Sequence, residues 1–300
     1  MSVPVDGVLI VDKPTGPTSH DVVSVARRAL GTPKVGHTGT LDPMATGVLV
    51  LVVGRATRLA RYMSGDVKVY EAQVTFGRAT NTYDALGAAT LDTGRHPRRE
   101  DLAAALAAFT GAIVQTPPAY SAKKIGGEAA YKLARRDTPV LPAAVTVTVH
   151  TLDLTGYDHG VATLTLGVSS GFYVRSLAHD LGAQLGTGAH LSALRRTRAG
   201  AFGLEEALGW EALAGGGGTA RAAVLPLDRL LPDVPGVVLT PEEASRVRHG
   251  QTVQAPVPDG PSGRSLRLLD DAGHLIGMAD AFPERADGGV ALLRPVVILG

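Results

Sequence analysis

The sequence predicts an α+β protein in two parts: a large mixed region, then a small and mostly β tail. Three observations predict it. Two-residue alternation marks strands. In KVYEAQVTF (68–76), Tyr70, Ala72, Val74 and Phe76 share one parity, and segments 145–154 and 161–168 flank the turn 156–160 as a hairpin. Helical segments with start and stop residues lie among these strands, at 20–30 and 98–109. After GGGG at 215–218 and a linker to about Pro235, one helix and several short strands crowd the last sixty or so residues.

Composition narrows the function. The chain has 300 residues with 45% hydrophobic content, enough for a sizeable core in one large or two ordinary domains. The net charge is +1, which leaves room for a local basic face but not a basic coat. There is no cysteine, which removes disulfides, thiolate nucleophiles and thiolate metal sites. No apolar run approaches the roughly 20 residues that span a bilayer, and MSVPVDG lacks a signal pattern. A soluble cytoplasmic protein without membrane contact is expected.

Taken in order, GVLIV (7–11) is a short strand that runs into the rigid DKPTGPTSHD, where Ser19 reads as the N-cap of helix 20–30 and Gly31 as its stop. Lys13, beside Pro14, reads as a solvated lysine when taken alone. GHTGTLDPMATGVL (36–49) is a shaped loop, since glycine and proline oppose a helix interior or buried strand. It leads into the strand VLVLVV (48–53). Asp42 is its only carboxylate and His37 its only imidazole. Asp42 with Pro43 also fits a helix cap, and His37 a plain surface residue.

Arg55, Arg58 and Arg61 fall at helical spacing, either a solvated face or a phosphate-facing stripe. Tyr70 shares its parity with apolar residues and so reads as a core tyrosine. In segment 116–138 a Pro-Pro entry leads to Tyr120, Lys123 and Lys124, then a short helix with Tyr131, Lys132, Arg135 and Arg136. Basic residues interleaved with tyrosines suit a nucleic-acid backbone with stacking bases; a solvated loop and helix is the plainer reading. SSGFYVRSLAHDLGAQLG (169–186) opens a helix carrying Tyr173, Arg175, His179 and Asp180. Its single arginine on an apolar face calls for water or a carboxylate. AHLSALRRTRAG follows, with Leu194, Arg195, Arg196 and Arg198. In the tail, Thr240, Pro241 and Glu243 form a capping box and Gly250 a stop; strands are expected at 266–269, 274–279, 289–293 and 296–299.

The order of these pieces resembles the bacterial tRNA pseudouridine synthase B family over nearly the whole chain. GHTGTLDPMATGVL is the closest match; GVLIVDKPTGPTSH, VYEAQVTFG, PPAYSAKKIGGEAAYKLAR, GFYVRSLAHDLG and GAHLSALRR follow in the family's order. The resemblance implies a pseudouridine synthase fold, a large, mainly antiparallel mixed sheet flanked by helices, over 1–234 with an RNA-gripping insertion at about 116–138. It implies a small β-barrel PUA-like RNA-binding domain over 235–300. Asp42 matches the essential aspartate, Arg175 its ion-pair partner and Tyr70 the tyrosine that packs on the target base. His37 matches the histidine that accommodates flipped nucleotides, Leu194 a pocket leucine, Tyr173 an aromatic close to it, and Lys13 a supporting lysine. Asn81, in TNTYD, departs from the usual acidic residue and touches loop contacts, not the reaction.

The implied reaction breaks the C1′–N1 bond of a T-loop uridine, turns the base and joins C5 to C1′. Nothing is added or lost, so neither cofactor nor metal is called for. The carboxylate attacks C1′, attacks C6, or removes the C2′ proton, and the family leans to the last. The uridine must first leave its stack, at a few kcal/mol, and an aromatic face such as Tyr70 returns about 1–3 kcal/mol. The partner is tRNA, gripped at T-loop and T-stem by shape and phosphate contacts. No obligate protein partner is expected, and the protein is expected to be a monomer, unlike guide-RNA-dependent relatives. A non-catalytic tRNA-folding protein is the alternative; it leaves a lone carboxylate in a neutral Gly/Thr loop unexplained. A hydrolase using Asp42 would want a second carboxylate or a histidine acting on water.

Overall fold

The computed structural model describes residues 5–63, 67–134, 136, 140–257, 265–283 and 289–299. Its centre is a ten-stranded mixed sheet. The principal strands are β1 (Gly7–Lys13), β2 (Val35–His37), β3 (Thr46–Val53), β4 (Lys68–Phe76), β5 (Gly111–Gln115), β6 (Val145–Asp158), β7 (Val161–Val168) and β8 (Ala189–Ala199). The spatial order β1-β3-β8-β4-β7-β6-β5 is antiparallel throughout except at β3–β8, where Arg195 and Arg196 pair in parallel with Thr46 and Gly47. Three helices matter most: α1 (Ser19–Leu30), α2 (Arg99–Ala107) and α3 (Val174–Gln184).

The apolar runs of β1 and β3 have a direct cause, because both strands are buried on both faces. Leu9, Val11, Leu49, Leu51 and Val53 pack with α1 and α3 on one side. Val8, Ile10, Val48, Val50 and Val52 pack on the other with Ala56, Leu59 and the tail residues Leu275, Met278, Val297 and Leu299. β4 carries its expected alternation, with Tyr70, Ala72, Val74 and Phe76 buried. The β6–β7 hairpin is longer than expected: β6 runs to Asp158, and His159 and Gly160 alone make the turn, at φ 45° and 79°. Positive φ at both turn residues matches the twist of a two-residue hairpin.

Three expectations are corrected, and the arginine stripe gains local detail. The cap of α1 is Thr18, not Ser19: Thr18 Oγ1 accepts from Asp21 N at 3.1 Å, and Asp21 Oδ2 accepts from Thr18 N at 2.8 Å. The supposed linker is built into the core. Helices Trp210–Ala214 and Gly218–Ala222 lead to Leu225, which bridges Val8, and Leu213, Ala220 and Leu230 are buried. Arg55, Arg58 and Arg61 are all exposed, and the first two have partners elsewhere in the protein. Arg55 pairs with Asp6 at 2.7 Å and donates to the Leu299 carbonyl, while Arg58 donates to the Ile298 carbonyl. Segments 289–293 and 296–299 belong to one strand, Val290–Ile298; the register shifts between Met278 and Ala279, opposite Val297 and Pro295, where the proline has no N–H to give.

The tail is a curled five-stranded sheet with helix α4 (Pro241–Arg248) against it, capped by the expected Thr240–Glu243 box. A strand that the sequence reading omits, Val253–Pro256, forms one of its edges.

Candidate active site

Asp42 lies in the loop between β2 and β3, and the loop is tied from several sides. Ser19 Oγ donates to the Leu41 carbonyl at 2.9 Å and accepts from Leu41 N at 2.8 Å. That bond occupies the hydroxyl which the sequence assigns to capping. Gly16 N donates to the Pro43 carbonyl at 2.8 Å, and Arg196 Nη2 to the Gly39 carbonyl at 3.1 Å. Asp42 and Pro43 form a turn, with Ala45 N donating to the Asp42 carbonyl at 3.0 Å; no helix begins there, so Asp42 is not a cap.

Lys13 is fully buried. Its Nζ donates to the carbonyls of Pro14 (2.9 Å), Pro43 (3.3 Å) and Ala45 (2.7 Å), so it staples the turn that presents Asp42. Burial pushes its pKa down from 10.5 to about 8, against the opposing pull of Asp42 and with help from the Arg196 charge. Gly47 completes the loop's geometry: at φ 100°, a Cβ there would stand 2.1 Å from the Arg196 carbonyl oxygen.

Arg175 enters from the first turn of α3, its side chain only 5% exposed against 33% for Asp42. Nε lies 2.9 Å from Asp42 Oδ2, and Nη2 donates to Oδ1 at 3.3 Å. The far side of the guanidinium is held by the Thr82 carbonyl (3.0 Å), the Tyr120 carbonyl (2.9 Å) and Asp84 Oδ2 (3.7 Å). The geometry gives a buried cation whose position is over-determined, facing a carboxylate that solvent or substrate can reach. The Nε contact is one of charge and the Nη2 contact a hydrogen bond, so the guanidinium supplies both charge and direction.

Tyr173 precedes α3. Gln115 clamps its backbone, donating to Tyr173 O at 3.0 Å and accepting from Tyr173 N at 2.8 Å. Burial pushes its phenol pKa up, opposed by the Ser121 hydroxyl and Arg175. Tyr70 sits on β4 opposite Leu166 and Arg196, on the buried face. Leu194 lines a cleft of about 220 Å³ with Met44 and Ala72. His37 is at the end of β2; burial pushes its pKa down, helped by the Arg196 and His20 charges, and its Nδ1 is buried without a hydrogen-bond partner among the described residues. A larger cleft, about 660 Å³, lies by Lys34 and Arg55 and contains none of these groups.

Asp84, Gln115, Ser19 and Arg196 are the contributors that sequence reasoning misses. Asp84 carries a faint signal as a carboxylate in a turn-rich loop; Gln115, at a strand end, carries none. The Asn81 side-chain oxygen accepts from Ala88 N at 2.9 Å, offering the acceptor that a carboxylate would offer there. In segment 116–138, Lys123, Lys124 and Lys132 are exposed, Arg136 pairs with Glu128 at 2.9 Å, and Arg135 lies outside the described residues. Among the described residues, no group of three or more His, Asp or Glu is placed to hold a metal ion.

The mixed sheet with its flanking helices and the family matches place the chain in the class of the pseudouridine synthases, which are isomerases. The chain belongs to the TruB family. Residues 27–174 match the TruB family pseudouridylate synthase N-terminal domain, 175–232 the tRNA pseudouridylate synthase B C-terminal domain, and 235–286 the C-terminal domain of pseudouridine synthase II TruB. Similar relatives include tRNA pseudouridine synthase B of Symbiobacterium thermophilum, 49% identical over 82% of each chain. Those of Thermobifida fusca and Solibacter usitatus are 45% and 42% identical, each over 92% of this chain and 94% and 95% of theirs. Among solved structures, a Cbf5-Nop10-Gar1 complex matches 98% of this chain and 85% of that one at 25% identity, with TM-score 0.77. The archaeal box H/ACA sRNP Nop10-Cbf5 complex matches 98% and 86% at 25% identity, with TM-score 0.75.

Proposed function

We propose that this enzyme converts a uridine in the T-loop of tRNA, position 55, to pseudouridine. Asp42 is the catalytic residue, Arg175 its ion-pair partner and Tyr70 the face that stacks on the flipped base. The observation that carries this reading is the Asp42–Arg175 pair, because a fixed cation behind the carboxylate holds it aimed while the target base enters. The C1′–N1 bond breaks, the base turns, C5 joins C1′, N1 gains a proton and the C5 proton is released. Substrate and product are isomers, so no co-reactant is needed. Whether Asp42 attacks carbon or removes the C2′ proton, it needs the same ionised state and direction. Lys13 holds the turn, while Leu194, Tyr173 and His37 shape the space for the flipped nucleotides.

The 1–234 region acts as the catalytic domain and 235–300 as a PUA-like RNA-binding domain, with segment 116–138 gripping RNA through its exposed lysines. The enzyme works in the cytoplasm as a monomer on tRNA alone, whereas the solved Cbf5 relatives are found in complexes with Nop10 and Gar1. The test is incubation of the protein alone with tRNA tritiated at uridine C5. Tritium release that stops when the T-loop uridine is replaced by cytidine supports both reaction and target. Binding without release favours the tRNA-folding alternative.

A further inference from the structure

Next to the ion pair stands a second contact that the reaction does not use directly. Tyr83 and His179 stack face to face, with ring centroids 3.9 Å apart and planes 14° apart. His179 follows Arg175 by four residues on α3, so both side chains lie on the same side of the helix one turn apart. Tyr83 lies between Thr82 and Asp84, the two residues of its loop that hold the Arg175 guanidinium. The stack and the guanidinium contacts therefore join the same helix to the same loop.

The backbone of Tyr83 adds a second, independent sign. Its φ is 64°, in the left-handed region that disfavours residues other than glycine, and bulky ones most. That conformation lets Thr82 O and Asp84 Oδ2 approach one nitrogen, Arg175 Nη1, from adjacent residues at 3.0 and 3.7 Å. Glycine would adopt it freely. An aromatic at a position built for glycine points to a use for its ring. The turn is held by Tyr83 N donating to Thr80 O at 3.2 Å, Leu191 N to Tyr83 O at 3.0 Å and Ala85 N to Leu191 O at 3.0 Å, and by the stack. His179 Nδ1 is buried and has no hydrogen-bond partner among the described residues, so no hydrogen bond at that nitrogen competes with the stack in setting the ring.

We propose that Tyr83 and His179 are positioning residues for the isomerisation: their stack locks the 81–85 loop onto α3, so that Thr82 and Asp84 hold Arg175 in register with Asp42. This rests on the reading of Asp42 as the catalytic residue. Neither ring needs to touch RNA for this role. The consequence is a separation of rate from affinity, since loosening Arg175 misaims Asp42 without removing a phosphate contact.

The test is single-turnover tritium release at saturating tRNA, with tRNA affinity and thermal unfolding measured on the same proteins. Tyr83→Gly keeps the turn and relieves its backbone but deletes the ring; His179→Ala deletes the stack from the helix side without touching the loop. Each is expected to lower the rate about 10- to 100-fold, the scale of an ångström of misplacement. Affinity should stay within about threefold. Tyr83→Phe and His179→Phe keep a stacked pair and should stay within about threefold of the wild-type rate. The Tyr83→Gly/His179→Ala double variant should be no slower than the slower single, as one unit demands. Full rate in folded Tyr83→Gly or His179→Ala overturns the proposal, as does affinity falling in step with rate, or loss of rate in both Phe variants. Asp42→Asn in the same assay separates the two levels: if it turns over, the reading of the site fails; if it is inactive while the stacking variants run at full rate, the positioning claim alone fails.

Discussion

Replacing Lys13 with methionine removes a buried ammonium at similar side-chain length, and the structure sets the size of two opposed effects. The folded pKa falls from 10.5 to about 8. At 1.36 kcal/mol per pH unit, holding the charge inside at neutral pH costs about 3 kcal/mol. That figure is net of the three bonds that Nζ gives the carbonyls of Pro14, Pro43 and Ala45. Lys13→Met removes the cost and also leaves those carbonyls, two of them only partly buried, without this donor, at about 1 kcal/mol each. The two effects nearly cancel, and Lys13→Met should change stability at neutral pH by less than about 2 kcal/mol. The rate should fall much further, about 10- to 100-fold, because the Asp42 turn loses its tether.

The pH dependence has a defined sign. Between about pH 8 and 10.5 the unfolded chain holds the Lys13 proton and the folded chain has released it. The Lys13 contribution to stability therefore rises with pH across that window, by about 3 kcal/mol relative to Lys13→Met. Activity runs the other way. A neutral amine has two N–H groups for three carbonyls, so the wild-type single-turnover rate should decline through about pH 8, whereas the residual rate of Lys13→Met should lack that step. Tritium release and thermal unfolding, each followed against pH, measure both. A Lys13→Met rate within about threefold of wild type, or a wild-type rate flat through that step, refutes the reasoning.

Three further outcomes follow from the same geometry. Arg175→Ala leaves Asp84 buried beside no guanidinium and should cost about 2–4 kcal/mol in thermal unfolding, below the full 3–5 of a buried pair because the Asp42 side chain is a third exposed, with rate falling far more than tRNA affinity. Gly47→Ala should lower stability by at least about 3 kcal/mol, since its Cβ would meet the Arg196 carbonyl at 2.1 Å and φ is 100°; chemical denaturation reads this. Truncation after Pro235 exposes the faces covered by Leu275, Met278, Val297 and Leu299. At about 1.5–3 kcal/mol per side chain the loss is comparable with a whole domain's stability, so an insoluble or unfolded product is expected in place of a weak-binding enzyme.

That last outcome shows where sequence and structure part. Alternation along β4 and the capping box of α4 are local signals, and both are read correctly from sequence. The fate of Leu275 to Leu299 is not local: strand spacing names the strands, but nothing in it says that they close over β1 and β3. GGGG separates two short helices, with Gly215 and Gly217 at their caps and only Gly218 inside one; burial of Leu213 and Ala220, which spacing does not encode, holds both helices to the core. The lone carboxylate and lone helix arginine single out Asp42 and Arg175, and the structure brings them to 2.9 Å. Lys13 is the instructive case. In sequence it is an ordinary lysine beside a proline; only the loop folding over it turns it into a buried staple. Asp84 and the Tyr83–His179 stack depend on loop and helix meeting, and spacing along the chain does not encode that.

Asp42→Asn is the measurement to make first, in single-turnover tritium release from C5-labelled tRNA, with binding followed in parallel. The substitution keeps the shape of the side chain and removes its charge. Tritium release should fall to background while tRNA affinity stays within a few fold. Turnover that survives in Asp42→Asn would contradict the assignment of this carboxylate, and with it the role given to Arg175.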